Sequence, residues 1–393
     1  MPQQPDLTSI SYAYPGVGGD ARAEVARLLT AAPKASPGTF VLSTCLRAEF
    51  LVHGDRARLD DVLGQMFGDE PEVDGAAVRC GSDAVAHLFR VAAGLESPVR
   101  GEIEILTQVR HAVRRASDDP DTEGTFSKLL EAAVASGRLA RESFPSSPHD
   151  SLAAVAAQVV GDREAVAVFG SGVMAAAVID ALAQLPAPPR VAVVARNPGA
   201  LARAGVESWP FDRAAEALAR FPAVISATSA KRRLVPEDVL AAAVASRVTP
   251  LVLVDMAMPP DFARPDIGAA TRYVDIDDLA AMAGRRPVDD GADELVLRRA
   301  EEAYTRFIRH HRVAPVIERM VADADDVVAE AVARFAGRLR NEEDEAVLRQ
   351  AAHTVARTLI ARPLAYLNEP GPGREDDAVD AVAEAFDAGA PDG

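Results

Sequence analysis

Cysteine is nearly missing from this chain: among 393 residues only Cys45 and Cys80 carry thiols. Two cysteines without framework spacing exclude a disulfide scaffold and a thiolate metal cluster, and they fit a reducing compartment. The seven histidines fall into no ligand spacing. The adjacent pair His310-His311 sits in a charged helical run and is expected to be solvated. Long apolar runs are also missing. No stretch reaches the roughly eighteen uninterrupted apolar residues of a membrane span. Met1-Pro2-Gln3-Gln4-Pro5-Asp6 has neither the basic region nor the apolar core of a signal peptide, so the expectation is a cytoplasmic protein with no membrane partner. Positive charge is scarce as well, and a net charge of −17 excludes a broad basic face that coats nucleic acid. A local strip survives this exclusion. Arg110, Arg114 and Arg115, with His111 among them, stand at near-helical spacing, and Arg138 and Arg141 follow in a later segment; the plainer reading is an ordinary solvated helix face.

What is present is apolar content enough for a folded chain, 49% of all residues, at a length that calls for two or three domains. One segment stands out against the Ala/Val-rich background. The strand-like run Phe40-Val41-Leu42-Ser43 leads into Thr44-Cys45-Leu46-Arg47, with Glu49 close behind, which places a thiol beside a guanidinium and a carboxylate. A neighbouring Arg raises the thiolate fraction and so favours nucleophilic chemistry. A lone cysteine is nevertheless more often a small buried hydrophobe than a catalyst.

The first third reads as α+β. A helix over Ala21 to Leu29 precedes the strand that ends at Thr44, Leu51-Val52-His53 is a candidate to pair beside it, and Ser82 to Ala93 has helical apolar spacing. A loop punctuated by Pro and Gly comes next, from Leu95 to Glu102. Helix resumes at Ile103 and runs to Ala116. Asp118 to Glu123 is an acidic, solvated break, and Thr125 to Glu142 is amphipathic helix. Ser146-Ser147-Pro148 marks a domain boundary, with Asp150 or Ser151 placed to cap the next helix.

The second unit carries the clearest fold signal. Ala165-Val166-Ala167-Val168-Phe169 is a short apolar strand that meets Gly170-Ser171-Gly172-Val173-Met174-Ala175, and helix continues from Ala176 to Leu185. In this G-x-G-x-x-A arrangement Gly170 permits a tight turn, Gly172 lets the backbone approach a pyrophosphate, and Ala175 lets the helix pack closely on the strand. The next strand, Val191 to Ala195, arrives at the spacing of a βαβ unit and ends in Arg196-Asn197. An acidic residue at that place would favour NAD; Arg attracts a 2′-phosphate, so the cofactor expected is NADPH. Apolar runs at Ala223-Val224-Ile225 and Leu251-Val252-Leu253-Val254 extend a parallel sheet. Their ends, Ser226-Ala227-Thr228 and Asp255, are expected to face the nicotinamide. Helix is expected from Asp293 to about Leu339, interrupted at Pro315, and again from Glu342 to Ile360. Its apolar stripe suits dimerisation, and the Pro/Gly/Asp-rich tail beyond Asn368 is expected to be poorly ordered.

In this order the segments resemble glutamyl-tRNA reductase, the family that opens the five-carbon route to tetrapyrroles. Leu42-Ser43-Thr44-Cys45-Leu46-Arg47-Ala48-Glu49 looks like its catalytic L-S-T-C-N-R-x-E segment. His87-Leu88-Phe89-Arg90-Val91-Ala92-Ala93-Gly94-Leu95-Glu96-Ser97, running into Gly101-Glu102 and Gln108, is similar to its H-L-F-x-V-A-x-G-L-x-S-x-x-x-G-E-x-x-I-x-x-Q-V segment. Gly137-Arg138, Arg141-Glu142, Ser226-Ala227-Thr228 and Asp255-Met256-Ala257-Met258-Pro259 extend the match. The resemblance implies an α/β multidomain protein: an α+β catalytic domain over 1–147, a Rossmann-type NADP-binding domain over 148–290 and an all-helical dimerisation domain over 291–393. It implies that Cys45 attacks the ester of glutamyl-tRNA to give a thioester, which NADPH reduces to glutamate-1-semialdehyde. His87 is the second catalytic position. Thr44, Leu46, Arg47, Ser97, Glu102, Ile103, Glu104 and Gln108 are the substrate-side positions, Arg47 pairing with the side-chain carboxylate. Gly170, Ser171, Gly172, Val173, Met174, Ala175, Arg196 and Asn197 are the cofactor-side ones, and no metal is implied. The partners implied are the tRNA, a second copy of the chain and glutamate-1-semialdehyde aminomutase.

The departures fall close to the thiol. Leu46 replaces the family's Asn, Ala48 its Thr, and Glu102-Ile103-Glu104 its E-P-Q triplet; Tyr14-Pro15-Gly16-Val17-Gly18 stands where H-K-T-A-P would, and Pro260 where an Arg would. They leave two alternatives open: a diverged paralogue that reduces another aminoacyl-tRNA or acyl donor, and a silent relative that binds tRNA or a partner protein.

Overall fold

The computed structural model describes residues 7–31, 36–68, 73–99, 103–144, 151–201, 205–230, 232–264, 271–283, 290–336, 338 and 342–368. The chain divides into two compact units, one over Asp6–Ala303 and one from Tyr304 onward. The first unit opens with β1 (Leu7–Ala13), α1 (Gly19–Ala31), β2 (Thr39–Ser43), β3 (Arg47–His53), α2 (Arg56–Phe67), β4 (Ala77–Cys80), α3 (Gly81–Ala93), α4 (Ile103–Ser117) and α5 (Gly124–Ser143). The strands form an antiparallel sheet in the order β2-β3-β1-β4, with Phe40 opposite Leu51 and Leu42 opposite Glu49. Period-two side-chain alternation is visible in β2, where Phe40 and Leu42 are buried while Val41 and Ser43 are not. One core cluster gathers Ile10, Tyr12, Phe50 and Val52 of the strands with Leu59, Val62 and Leu63 of α2. Helices α3 and α5 meet at Gly137, where a Cβ would stand 2.5 Å from the Ala92 carbonyl oxygen, so only glycine permits this approach. Arg141 then donates to that same carbonyl at 3.0 Å.

The nucleotide-binding half comes next: α6 (Leu152–Val160), β5 (Ala165–Phe169), α7 (Val173–Ala183), β6 (Arg190–Ala195), β7 (Val206–Pro210), α8 (Ala214–Arg220), β8 (Ala223–Ser226), α9 (Glu237–Ala245), β9 (Leu251–Asp255), β10 (Thr271–Val274) and α10 (Ile276–Ala283). Ser151 caps α6 by accepting from the Ala154 N–H at 3.1 Å; the other capping candidate, Asp150, and the Ser146-Ser147-Pro148 boundary lie outside the described residues. All strand pairs are parallel, in the order β10-β9-β8-β5-β6-β7. Strand order reverses between β5 and β8, which is where such sheets open a ligand crevice at the strand ends. Both faces of the sheet are covered: Val166 and Val168 enter one apolar cluster, Ala165, Ala167 and Phe169 the other. That double burial is why these strands read as continuous apolar runs.

The last elements are α11 (Asp290–Ala336) and α12 (Glu342–Asn368). Both correct the expectation. Pro315 lies inside α11 and does not interrupt it, and α12 continues past Ile360 and through Pro363 to Asn368. Proline removes one hydrogen-bond donor, but buried Val313 and Met320 on either side of Pro315 pack with Val316, Ile317 and Ile360 and hold the axis through the lesion. His310 is exposed as expected, whereas His311 is half-buried with Nδ1 3.0 Å from the Phe307 carbonyl. The tail beyond Asn368 lies outside the described residues.

Candidate active site

Cys45 sits where the chain reverses between β2 and β3. Thr44 N–H donates to the Arg47 carbonyl at 2.8 Å, and Tyr14 N–H donates to the Leu46 carbonyl at 3.0 Å, so the tip is tied to the end of β1. Leu46 N–H donates to Thr44 Oγ1 at 3.3 Å. Held this way, the half-buried thiol lines a small pocket with Thr44, Leu46 and Arg47 from the same turn. Ser97 and Pro98 come from the loop after α3, Glu104, Ile105 and Gln108 from α4, and Met174 from α7. The sequence-predicted positions Thr44, Leu46, Arg47, Ser97, Glu104 and Gln108 are therefore brought together around the sulfur. Glu102 lies outside the described residues, and Ile103 opens α4. Met174, expected on the cofactor side, belongs to the thiol pocket as well. The nucleotide loop and the thiol thus share one wall.

Behind the turn lies a buried charge network. Arg47, 3% exposed, donates to Glu49 Oε1 at 3.2 Å and also to the Glu96 carbonyl. His87 Nε2 stands 3.0 Å from the other Glu49 oxygen. Burial drives the Glu49 carboxyl upward, but His87, followed by Arg47 and the Ser11 hydroxyl, outweighs it and holds Glu49 below the usual carboxylate range. Glu96 is likewise held low: burial raises it, and Arg90, His87 and Arg47 together prevail. Arg47 thus reaches the pocket with much of its charge already balanced by Glu49. Glu96 is not evident as a network partner from spacing alone, whereas Glu49 is, because the period-two rule puts 47 and 49 on one face of β3.

The departures acquire a physical role here. Leu46 is 5% exposed and belongs to the apolar cluster that includes Val99, Met256 and the buried residues of α6 and α7. An Asn there would bury an amide in hydrocarbon. Ala48 is buried in the core cluster on the α2 side of the sheet. Glu104 keeps a carboxyl whose pKa burial pushes up.

The glycine loop has the shape its pattern calls for. Gly170 has φ +113°, and a Cβ there would stand 2.5 Å from the Ala227 carbonyl oxygen. Gly172 caps α7 and a Cβ on it would meet nothing within 4 Å. Val173 is 79% exposed, while Ala175 is fully buried beneath it. Open space at Gly172, the free N-terminus of α7 and an uncovered valine fit a dinucleotide pyrophosphate. Arg196 and Asn197 are exposed just past the end of β6. At the ends of β8 and β9 the expected Ser226, Thr228 and Asp255 form a polar cluster with a partner the sequence did not announce: Asp261 accepts from Ser226 Oγ at 2.6 Å and from Thr228 Oγ1 at 2.8 Å.

Together these features define a class: a thiol-bearing α+β domain set against the nucleotide crevice of a Rossmann-type dehydrogenase domain. Family models divide the chain in the same sense. Residues 19–144 match the N-terminal domain of glutamyl-tRNA(Glu) reductase, 152–282 shikimate / quinate 5-dehydrogenase, and 292–388 the glutamyl-tRNA(Glu) reductase dimerisation domain. Glutamyl-tRNA reductase of Salinispora tropica is 30% identical over 89% of this chain and 84% of its own. That of Kineococcus radiotolerans is 32% identical over 88% and 83%. The solved glutamyl-tRNA reductase of Methanopyrus kandleri is 26% identical, covers 97% of this chain and 98% of its own, and superposes with a TM-score of 0.42. The chain belongs to the glutamyl-tRNA reductase family, and a nicotinamide cofactor goes with that membership.

Proposed function

We propose that this protein reduces glutamate carried on its tRNA to glutamate-1-semialdehyde, the first step of tetrapyrrole biosynthesis by the five-carbon route, with NADPH as reductant. The observation that carries the proposal is the pocket in which Cys45 and Met174 share a wall, because it joins a nucleophile to the helix of the dinucleotide loop. The Cys45 thiolate attacks the ester carbonyl. A C–S bond forms, the C–O bond to the terminal ribose breaks, and the ribose oxygen leaves with a proton as the tRNA 3′-hydroxyl. Thr44, Ser97 and Gln108 supply hydrogen bonds that orient the glutamyl group, and Arg47, positioned by Glu49, completes the charge balance at its carboxylate. His87, fixed by Glu49, sits behind the turn as a positioning or proton-holding group. The cofactor, when bound, supplies the hydride that converts the thioester to the aldehyde with return of the thiolate. Gly170 to Ala175 hold its pyrophosphate, and Arg196 with Asn197 reads the 2′-phosphate.

Several further readings rest on the same proposal. The domains divide at 147/148 and 290/291. The protein works in the cytoplasm; no helix among the described residues is long and apolar enough to cross a membrane. It pairs with a second copy through α11 and α12, whose Val327, Val355 and Leu359 are exposed by 65%, 59% and 71%, an apolar stripe that suits a partner helix. A reactive aldehyde product suits direct transfer to glutamate-1-semialdehyde aminomutase. Purified protein given glutamyl-tRNA and NADPH should form a glutamyl adduct on Cys45 and oxidise the cofactor, and Cys45→Ser should do neither. Adduct formation with other aminoacyl-tRNAs alone would replace this reading with the diverged paralogue.

A further inference from the structure

Helix α4 presents two surfaces. Its first turns put Glu104, Ile105 and Gln108 into the Cys45 pocket. Its last turns expose Arg110, His111, Arg114 and Arg115. Several surface arginines of this acidic chain are matched by a carboxylate on their own helix, as in Arg27–Glu24, Arg56–Asp60, Arg334–Glu330 and Arg349–Glu345, whereas α4 gathers unmatched ones side by side. Arg110, His111 and Arg114 have no ion pair among the described residues, and Arg115 makes only a long 3.4 Å contact to the Val41 carbonyl. Like charges four residues apart, as Arg110 and Arg114 are, destabilise a helix. An unneutralised stripe in a chain of net charge −17 therefore calls for an anionic partner.

The stripe is placed to serve the thiol. Arg115 lies eleven positions after Glu104, ~16 Å along the helix. At the far end lies a larger cavity of about 550 Å³ lined by Thr39, Val41, Met66, Arg115 and Asp118. Thr39 is 5% exposed and its Oγ1 has no partner among the described residues. Strand β2 runs from this cavity, through Ser43, directly into Thr44-Cys45. Beyond the stripe the loop turns acidic, with Asp118, Asp121 and Glu123 exposed, which limits a polyanion to α4.

We propose that the exposed face of α4 and the cavity at its end form the track for the unpaired 3′ end of the tRNA, with phosphates on Arg110, His111 and Arg114 and one splayed base in the cavity. This rests on the reductase reading and extends it to the polynucleotide. Arg115 offers a guanidinium plane for the base to stack on. The Asp118 carboxylate accepts from an exocyclic amino group, as carboxylates do from cytosine, and the Thr39 hydroxyl gains the partner it lacks. The esterified terminal ribose then lies at Cys45.

The test uses the full-length protein and two substrates, glutamyl-tRNA and a short 2′(3′)-O-glutamyl-adenosine ester that lacks the track-bound nucleotides. In Arg110→Gln/Arg114→Gln, KM for glutamyl-tRNA should rise about tenfold at unchanged kcat, and the log–log salt dependence of tRNA binding should flatten by ~1.4, about 0.7 per lost phosphate contact on a single strand. Thr39→Val, which keeps the shape and removes the hydroxyl, should raise the same KM. Turnover of the short ester should follow wild type. Unchanged KM and salt slope with tRNA overturn the track. Equal losses on both substrates also overturn it, since they assign the arginines to the pocket's fold. If wild type acts on neither substrate the reductase reading fails instead, and filter binding of uncharged tRNA to wild type and variant still decides the track.

Discussion

His87 and Glu49 form a buried pair, Nε2 to Oε2 at 3.0 Å, and Glu49 spends its other oxygen on Arg47 at 3.2 Å. One carboxylate therefore sets the position of both the imidazole and the guanidinium behind the thiol turn. Replacing it with Glu49→Gln leaves Arg47 buried without its counter-charge, and loss of one partner from a buried ion pair costs about 3–5 kcal/mol. Urea unfolding should show a loss of that order, with a fall in kcat for acyl transfer to Cys45. The pH sign is set by the depressed Glu49 pKa. Its stabilisation is present above the unfolded carboxylate pKa and is lost as pH falls through the folded value. The acid limb of the wild-type stability curve should therefore be steeper than that of Glu49→Gln; equal limbs would contradict the network.

Gly170 and Gly172 separate folding from binding. At Gly170 the positive φ and the Ala227 carbonyl at 2.5 Å make Gly170→Ala a folding defect of about 1–3 kcal/mol. At Gly172 the added methyl meets no protein atom within 4 Å, so Gly172→Ala should melt like wild type yet bind NADPH about tenfold more weakly, because it occupies the place of the pyrophosphate. Paired thermal melts and cofactor titrations check both, and a normal NADPH affinity in Gly172→Ala would remove the cofactor from this loop.

Glu104 brings a titration into the pocket. Burial raises its pKa, so it is neutral to a higher pH than an ordinary carboxyl and, once ionised, repels the glutamyl carboxylate. The wild-type KM for glutamyl-tRNA should therefore climb as pH rises through the Glu104 titration. Glu104→Gln should flatten that climb while leaving the low-pH KM near wild type. A steeper or unchanged profile in the variant would take Glu104 out of contact with the substrate.

Asp255 behaves in the opposite sense to Glu49. Burial, reinforced by the charge of Asp261, raises it to about 7 against the N–H groups of Phe262 and Ala257 that it accepts from. A raised folded pKa means that the native state holds the proton more tightly. The associated stability is complete below the unfolded pKa of about 4 and disappears as pH climbs through about 7, a swing on the order of 4 kcal/mol. Measured by urea unfolding, the margin of wild type over Asp255→Asn should shrink between pH 5 and pH 8. A constant margin would show that Asp255 is ionised throughout.

Periodicity made the buried half of this molecule legible. The apolar runs at 165–169, 191–195, 223–225 and 251–254 became β5, β6, β8 and β9 because a sheet covered on both faces needs no polar alternation. Strands β1 and β4 escaped notice for the opposite reason: Thr8, Ser9 and Ser11 interrupt β1 although all three are buried, and β4 is a four-residue edge with alternating exposure. The thiol turn and its pocket partners were readable from Thr44 to Gln108. Arg47's bond to the Glu96 carbonyl was not, since sequence spacing does not reveal which distant backbone oxygen a buried guanidinium meets. Pro315 misled because local propensity predicts a break that tertiary packing overrides.

The proposed preference for NADPH rests on Arg196. It stands exposed immediately after β6 and Asn197 is next to it, at the place where a dinucleotide fold meets the adenosine ribose. An acidic residue there would accept hydrogen bonds from both ribose hydroxyls and repel a 2′-phosphate; a guanidinium offers paired donors that match the phosphate oxygens. Arg196 has no ion pair among the described residues, so binding NADPH would sacrifice no internal contact. Arg196→Ser should weaken NADPH by about tenfold, the worth of one charge-assisted contact at an exposed site, and leave NADH near its wild-type affinity. If both dinucleotides weaken together, Arg196 supports the crevice without reading the phosphate. If wild type binds them equally, the preference for NADPH is wrong at its root.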